Sequence, residues 1–107
     1  MNVVFINNVI DPADVTLTGC GSGSNSDIDE DTDCTLTCDA NDGNPRQFTY
    51  EWEFKRKFEN DFTPIQHTSR AYPISSLTYL HAGEYKCRAR NTGGFNEDIK
   101  VFNVICK

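Results

Sequence analysis

The stretch YPISSLTYLHAGEYKCRARNTGG, residues 72–94, decides how this chain folds. From Gly83 onward it alternates: Tyr85, Cys87 and Ala89 fall on one side of an extended segment, and Lys86, Arg88 and Arg90 on the other. Strand side chains point to opposite faces with a period of two, so one side belongs to a core and the other to water. The same period recurs along the chain. In FTYEWEFK, Tyr50, Trp52 and Phe54 alternate with Glu51 and Glu53, and in DCTLTCDA, Cys34, Leu36 and Cys38 share a face. NVVFINNVI, DVTLTGC, AYPISSL and DIKVFNVIC are also strand-like. Between them, GSGSNSDIDEDTD reads as a polar linker and NDGNPRQ as a turn whose Asp42-Gly43 pair tolerates positive φ. Helical periodicity is missing. About seven short strands without an internal repeat predict an all-β chain folded as two packed sheets rather than a solenoid.

The bulk numbers bound what such a chain does. Its 107 residues are enough for one domain, expected over residues 12–107, with residues 1–11 as an N-terminal strand or inter-domain linker. Five cysteines in so short a chain point to an oxidising compartment, where disulfides reinforce a small core. A zinc site is disfavoured, because only Cys34 and Cys38 are close and their spacing is that of a strand. Net charge is −6, and the first 45 residues hold no Lys or Arg, which argues against nucleic acid. No run of 18 apolar residues is present, and MNVVFINNVI lacks the basic start and cleavage site of a signal peptide. An extracellular domain with this sequence is therefore expected to be a fragment of a longer chain. Asn-x-Ser/Thr is absent, so no N-linked glycan is expected.

Cys38, then Trp52 fourteen residues on, then Tyr85 two before Cys87, resembles the immunoglobulin superfamily, over about residues 12–106. The I-set is the nearest subgroup, on three stretches. IDEDTDCTLTC is similar to V-x-E-G-x-x-V-x-L-x-C, with Asp31 where Gly is usual. YPISSL is similar to L-x-I-x-x-V, with Tyr72, Ile74 and Leu77 inward. HAGEYKCRARNTGG is similar to D-x-G-x-Y-x-C-x-A-x-N-x-x-G, matching Gly83, Tyr85, Cys87, Ala89, Asn91 and Gly94. The short distance between the two cysteines argues against a variable-type domain, which needs two more strands. The resemblance implies a two-sheet antiparallel immunoglobulin-like sandwich. Cys38 and Cys87 would bridge the sheets with Trp52 packed on the bridge, and Tyr85 would form a tyrosine corner. Leu36, Ile74, Leu77 and Ala89 would fill the core. Such a bridge closes a loop of about 49 residues and stabilises by about 2–5 kcal/mol. The departure is His81, where the family has an Asp that holds an Arg. Arg70 stands at the Arg position, and His81 reads as a surface substitution that forgoes the pair.

Three cysteines remain, leaving one odd. Parity with Cys38 turns Cys34 inward, where a free thiol passes as a small hydrophobe. Cys20, beside GSGSNS, is expected at the surface, so Cys20 with Cys106 is the first expectation. Cys34 with Cys106 is a close rival, and Cys20 with Cys34 is the third arrangement.

No catalytic motif occurs, and His67 and His81 have no partner that spacing supplies, so an enzyme, a cofactor and a metal are not expected. Asp27, Asp29, Asp31 and Asp33 imitate the start of a calcium loop, but Thr32 and Cys38 stand where Gly and Glu are needed. They read as a solvated acidic loop. The KRK triplet at 55–57, flanked by Glu53 and Glu59, reads as a strand edge before it reads as a sulfated-glycan site. The resemblance makes strands C and F neighbours, which sets Glu51 and Glu53 beside Lys86, Arg88 and Arg90. This charge ladder over Phe102 and Val104 is the candidate partner face.

These features imply a non-catalytic recognition module in the extracellular part of a single-pass membrane protein. It would bind a protein ligand, a homophilic partner or neighbouring domains. A receptor tyrosine kinase parent is slightly favoured over an adhesion molecule. The alternatives are an intracellular structural domain of muscle filaments and a secreted immune-type domain. The cysteine count weighs against the first, and the lack of variable-type spacing against the second.

Overall fold

The computed structural model describes residues 14–23, 25–41, 43 and 47–106. The strand-like NVVFINNVI, the expected boundary at residue 11 and Asp42 of the expected turn lie outside them. Eight strands form among the described residues: β1 (Asp14–Thr18), β2 (Asn25–Asp29), β3 (Cys34–Asn41), β4 (Thr49–Arg56), β5 (Thr63–Ile65), β6 (Ala71–Ile74), β7 (Gly83–Asn91) and β8 (Gly94–Ile105). They build a three-stranded sheet, β1-β3-β6, and a five-stranded sheet, β2-β8-β7-β4-β5. All pairings are antiparallel except β2 with β8, which is parallel.

The core lies between the sheets because the inward positions of β3, β4, β6 and β7 are apolar. Leu36, Trp52, Ile74, Leu77, Tyr85, Ala89 and Phe102 are buried. Trp52, directly opposite Cys87 on β4, donates its indole N–H to Ser69 O at 2.9 Å and packs on Tyr72 of the other sheet, 5.5 Å between centroids. Tyr85 is stacked between Phe54 at 4.5 Å and Phe102 at 5.2 Å. Its hydroxyl donates to His81 O at 2.7 Å, so the buried phenol is satisfied, and burial raises its pKa. Cys38 of β3 and Cys87 of β7 are joined, tying the two sheets together. Gly83, which opens β7, has φ +149°, and a Cβ there would sit 2.3 Å from Lys55 O. Glycine is required at that crossing.

Several expectations are corrected. Part of the polar linker is a strand: residues 25–29 run beside β8, with Ile28 opposite Val104. Cys20 is buried and bonded to Cys34 rather than to Cys106, and Cys106 is a free, exposed thiol. The physical reason is the crossover from β1 to β2. Gly19 (φ +104°) and Cys20 (φ +53°) turn the chain over the start of β3, so closely that a Cβ on Gly19 would meet Thr35 O at 1.9 Å. That turn aims Cys20 at Cys34. Arg70, expected to have no ion pair at His81, is paired with Asp39. His81 closes the 3-10 turn Tyr79–His81, its Nδ1 accepting from Thr78 N–H at 2.9 Å, a role only an unprotonated Nδ1 fills. His67 lies edge-on to Tyr72 and Trp52, and its Nε2 is hydrogen-bonded with Ala71 O.

Lys100 is the one fully buried charged side chain among the described residues. It faces inward two positions before Phe102, and its ammonium donates to Gly21 O at 3.1 Å and to Gly23 O. The β1–β2 crossover is thus laid over a buried cation, whose burial lowers its pKa. Beside it, Asp98 accepts Leu17 N–H at 2.8 Å, joining β1 to β8 across the gap between sheets.

Two outcomes test this arrangement. Alkylation of native protein should label Cys106 alone, and unfolding without reductant should add no second label. A label on Cys20 or Cys34 would contradict the crossover geometry. Lys100 makes stability depend on pH. Its folded pKa lies below the unfolded value near 10.4, so in the window between them the unfolded chain binds more protons and stability rises with pH. Tyr85 acts in the opposite sense, but only as pH approaches about 10. With Cys106 blocked, Lys100→Met should flatten the rise in denaturation midpoint measured as pH is raised toward about 10. An unchanged slope in the variant would show that the ammonium is not buried.

Candidate interaction face

The outward side of the five-stranded sheet is built by the same alternation that builds the core. On β7 the inward Tyr85, Cys87 and Ala89 force Glu84, Lys86, Arg88 and Arg90 outward. Register then fixes their neighbours: Glu51 is opposite Arg88, Glu53 opposite Lys86 and Lys55 opposite Glu84 on β4, while Glu97 of β8 is opposite Arg88 on the other side. The structure therefore brings Glu51, Glu53, Lys86, Arg88 and Arg90 together on one face. It adds Lys55, Glu84 and Glu97, which the sequence reading did not include.

These charges compensate one another in rows. Lys55 lies 3.0 Å from Glu84, and Lys86 3.4 Å from Glu53 and 3.8 Å from Glu97. Arg88 bonds Glu97 through both Nε (3.1 Å) and Nη2 (2.9 Å) and reaches Glu51 at 3.6 Å, while Arg90 reaches Glu51 at 3.4 Å. The bonds to Glu97 raise the Arg88 pKa, so this guanidinium is a permanent cation. Two aromatic rings flank the rows. Phe62 lies under Lys86, 4.1 Å from its ammonium, and Phe95 under Arg88 (4.4 Å) and Arg90 (4.9 Å). Such cation–π contacts orient the cations and keep the rings at the surface, where Phe95 is 43% exposed. The result is an ordered patch of four carboxylates and four cations with two aromatic anchors. Its charges sum to zero in a chain of net charge −6. Parity gave the means to find the missed members: with Phe102 inward, Glu97 and Phe95 of the same strand must face outward.

The sheet edges offer much less. β5 has three residues and contains Pro64, β6 has four and contains Pro73, and on β1 the Leu17 N–H is taken by Asp98. On β2 the exposed residues include Asp27 and Asp29. Short, proline-bearing and charged edges resist pairing with another chain.

Comparison with known proteins agrees with this architecture. The family profile described as Immunoglobulin domain matches residues 17–91. The N-terminal four Ig domains of Dscam1 isoform 4.44 match with a TM-score of 0.67 at 21% identity, over 90% of this chain and 21% of that one. The N-terminal eight Ig domains of Down Syndrome Cell Adhesion Molecule isoform 1.30.30 match at 0.65 and 16%, over 90% and 13%. The full ectodomain of mouse nectin-like molecule 4 matches at 0.64 and 21%, over 84% and 29%. The chain thus spans less than a third of each of these chains. No curated protein sequence matches. Bridged sheets, the tyrosine corner and the profile match over most of its length lead to one conclusion: the chain belongs to the immunoglobulin domain family.

Proposed function

We propose that this is a non-catalytic recognition domain from the extracellular part of a cell-surface protein, and that it binds a protein partner through the outward face of β4, β7 and β8. The observation that carries the reading is the compensated charge array around Phe62 and Phe95, set in a chain whose strand edges are stoppered. Complementary charges of this kind steer encounter and select partners more than they add affinity, and exposed aromatics supply anchors. Two disulfides favour an oxidising compartment over the cytosol, which weakens the muscle-filament alternative. The relatives in fold named above are ectodomains of adhesion molecules, so an adhesion-type parent is now favoured over a receptor tyrosine kinase. A homophilic partner and a different protein both suit the face.

The test is a panel of extracellular proteins probed with the domain displayed multivalently on beads, including beads coated with the domain itself. Arg88→Glu with Arg90→Glu is run in parallel. The expected result is at least one partner whose association slows several-fold in the double variant and loses salt dependence. Stability should change little, since exposed pairs contribute about 0–1 kcal/mol each. Partners that bind the double variant unchanged would place recognition elsewhere, and no partner across the panel would remove the reading.

A further inference from the structure

One end of the sandwich differs from the rest of the surface. Arg56, the last residue of β4, is opposite Gly83, which is opposite Phe102, and β8 continues from there to Ile105. The turn after β4, the 3-10 turn and the end of β8 therefore share this pole. Phe58 is 93% exposed and Tyr79 is 76% exposed. Phe58 also holds a φ of +74°, a region that a bulky residue enters only at a cost. Between the two turns lies a groove of about 380 Å³, its apolar lining made by Phe58, Tyr79, Leu80, Ala82 and Val104. Exposed apolar side chains grouped around a groove mark an interaction site more often than scattered ones do.

Charge singles out the same place. Among the described residues, Lys55, Arg70, Lys86, Arg88 and Arg90 pair with carboxylates, and Lys100 is buried on carbonyl oxygens. The side chains of Arg56 and Lys57, at the groove's rim, pair with no carboxylate among the described residues, and the Lys57 ammonium lies over the Phe58 ring, 5.7 Å from its centroid. The acidic segment after β2 is pinned to this same pole: Glu30 N–H donates to Ile105 O, and Asp31 N–H to Leu77 O, each at 2.8 Å. Asp29 and Asp31 are exposed, and no cation among the described residues pairs with them.

We propose that this pole is a self-complementary contact between two copies of the chain. The copies meet end to end about a two-fold axis lying across the strands. Arg56 and Lys57 of each copy face Asp29 and Asp31 of the other, and Phe58 enters the opposite groove. An isologous contact needs each patch to carry both halves of the match, and this one does. A membrane suits it less, because the carboxylates at the pole would be pressed against lipid phosphates. The end of one domain is a small area, below the roughly 1,200 Å² of stable interfaces, so the association is weak and concentration-dependent. Net charge of −6 opposes it at long range, and the local pairing must outweigh that repulsion.

Sedimentation velocity on the domain with Cys106 alkylated, from about 20 μM to about 1 mM, tests the proposal. The weight-average mass should rise with concentration. Arg56→Glu with Lys57→Glu should lower the association constant about tenfold or more, and Asp29→Lys with Asp31→Lys should do the same. An equimolar mixture of the two double variants should associate again, because each then supplies what the other lacks. That recovery also shows both to be folded. Phe58→Ser should weaken association, while Arg88→Glu with Arg90→Glu should leave it unchanged, separating this contact from the β4–β7–β8 face. A monomer at the highest concentration, or a mixture that fails to recover, overturns the proposal. Sensitivity to the basic change without sensitivity to the acidic one also overturns it, and assigns the groove to a foreign acidic partner.

Discussion

The bridge between Cys38 and Cys87 is the constraint on which the rest of the molecule depends. Removing 49 residues' worth of loop freedom from the unfolded chain stabilises by about 2–5 kcal/mol. Against the roughly 5–15 kcal/mol that holds a whole domain together, that is a large share. Its geometric effect matters as much. Fixing Cys87 inward fixes the parity of all of β7, and therefore which residues of β4 and β8 face each side. Tyr85 and Ala89 must enter the core, and Lys86, Arg88 and Arg90 must leave it. Core and candidate face are two sides of one strand.

A second set of interactions handles the place where the chain passes from one sheet to the other. Gly19 lets the backbone come close to Thr35, Cys20 is bonded to Cys34, and the carbonyls of the turn accept from buried Lys100. Asp98 takes Leu17 N–H at the same gap. The crossover has almost no apolar content of its own, so covalent and polar contacts replace hydrophobic packing. One consequence is functional. With Leu17 N–H of β1 taken by Asp98 and the other described edges short or charged, edge pairing offers a partner little, and the outward face of β4, β7 and β8 offers an ordered charged surface, with the pole a smaller one.

Most of the fold was legible because it is written in a period of two. The alternations at residues 50–54 and 83–90, with the spacing of Cys38, Trp52, Tyr85 and Cys87, carried the sandwich, its core and the five charges first assigned to the face. β2 was not legible, since its only large apolar residue is Ile28 and its pairing with β8 rests on backbone hydrogen bonds that any sequence can make. The pairing of Cys20 was hidden for a related reason: it depends on left-handed backbone at residues 19 and 20, which redirects a side chain that composition places at the surface. Lys100 and Glu97 could have been found. Once Phe102 and Val104 are set inward, Lys100 must be inward as well and Glu97 outward. Arg70 shows the limit of analogy: its backbone lies beside Cys38, where Cys38 N–H donates to Arg70 O at 2.9 Å, and the guanidinium pairs with the adjacent Asp39.

Backbone NMR of the isotopically labelled domain, titrated at low concentration with a partner found by binding, addresses the recognition face most directly. Resonances that shift should cluster at residues 51, 53, 86, 88, 90, 95 and 97, with the β1-β3-β6 sheet unaffected. Shifts concentrated on β1, β3 and β6, or along the edges at β2 and β5, would show that the charged face is there for solubility and that recognition uses another surface.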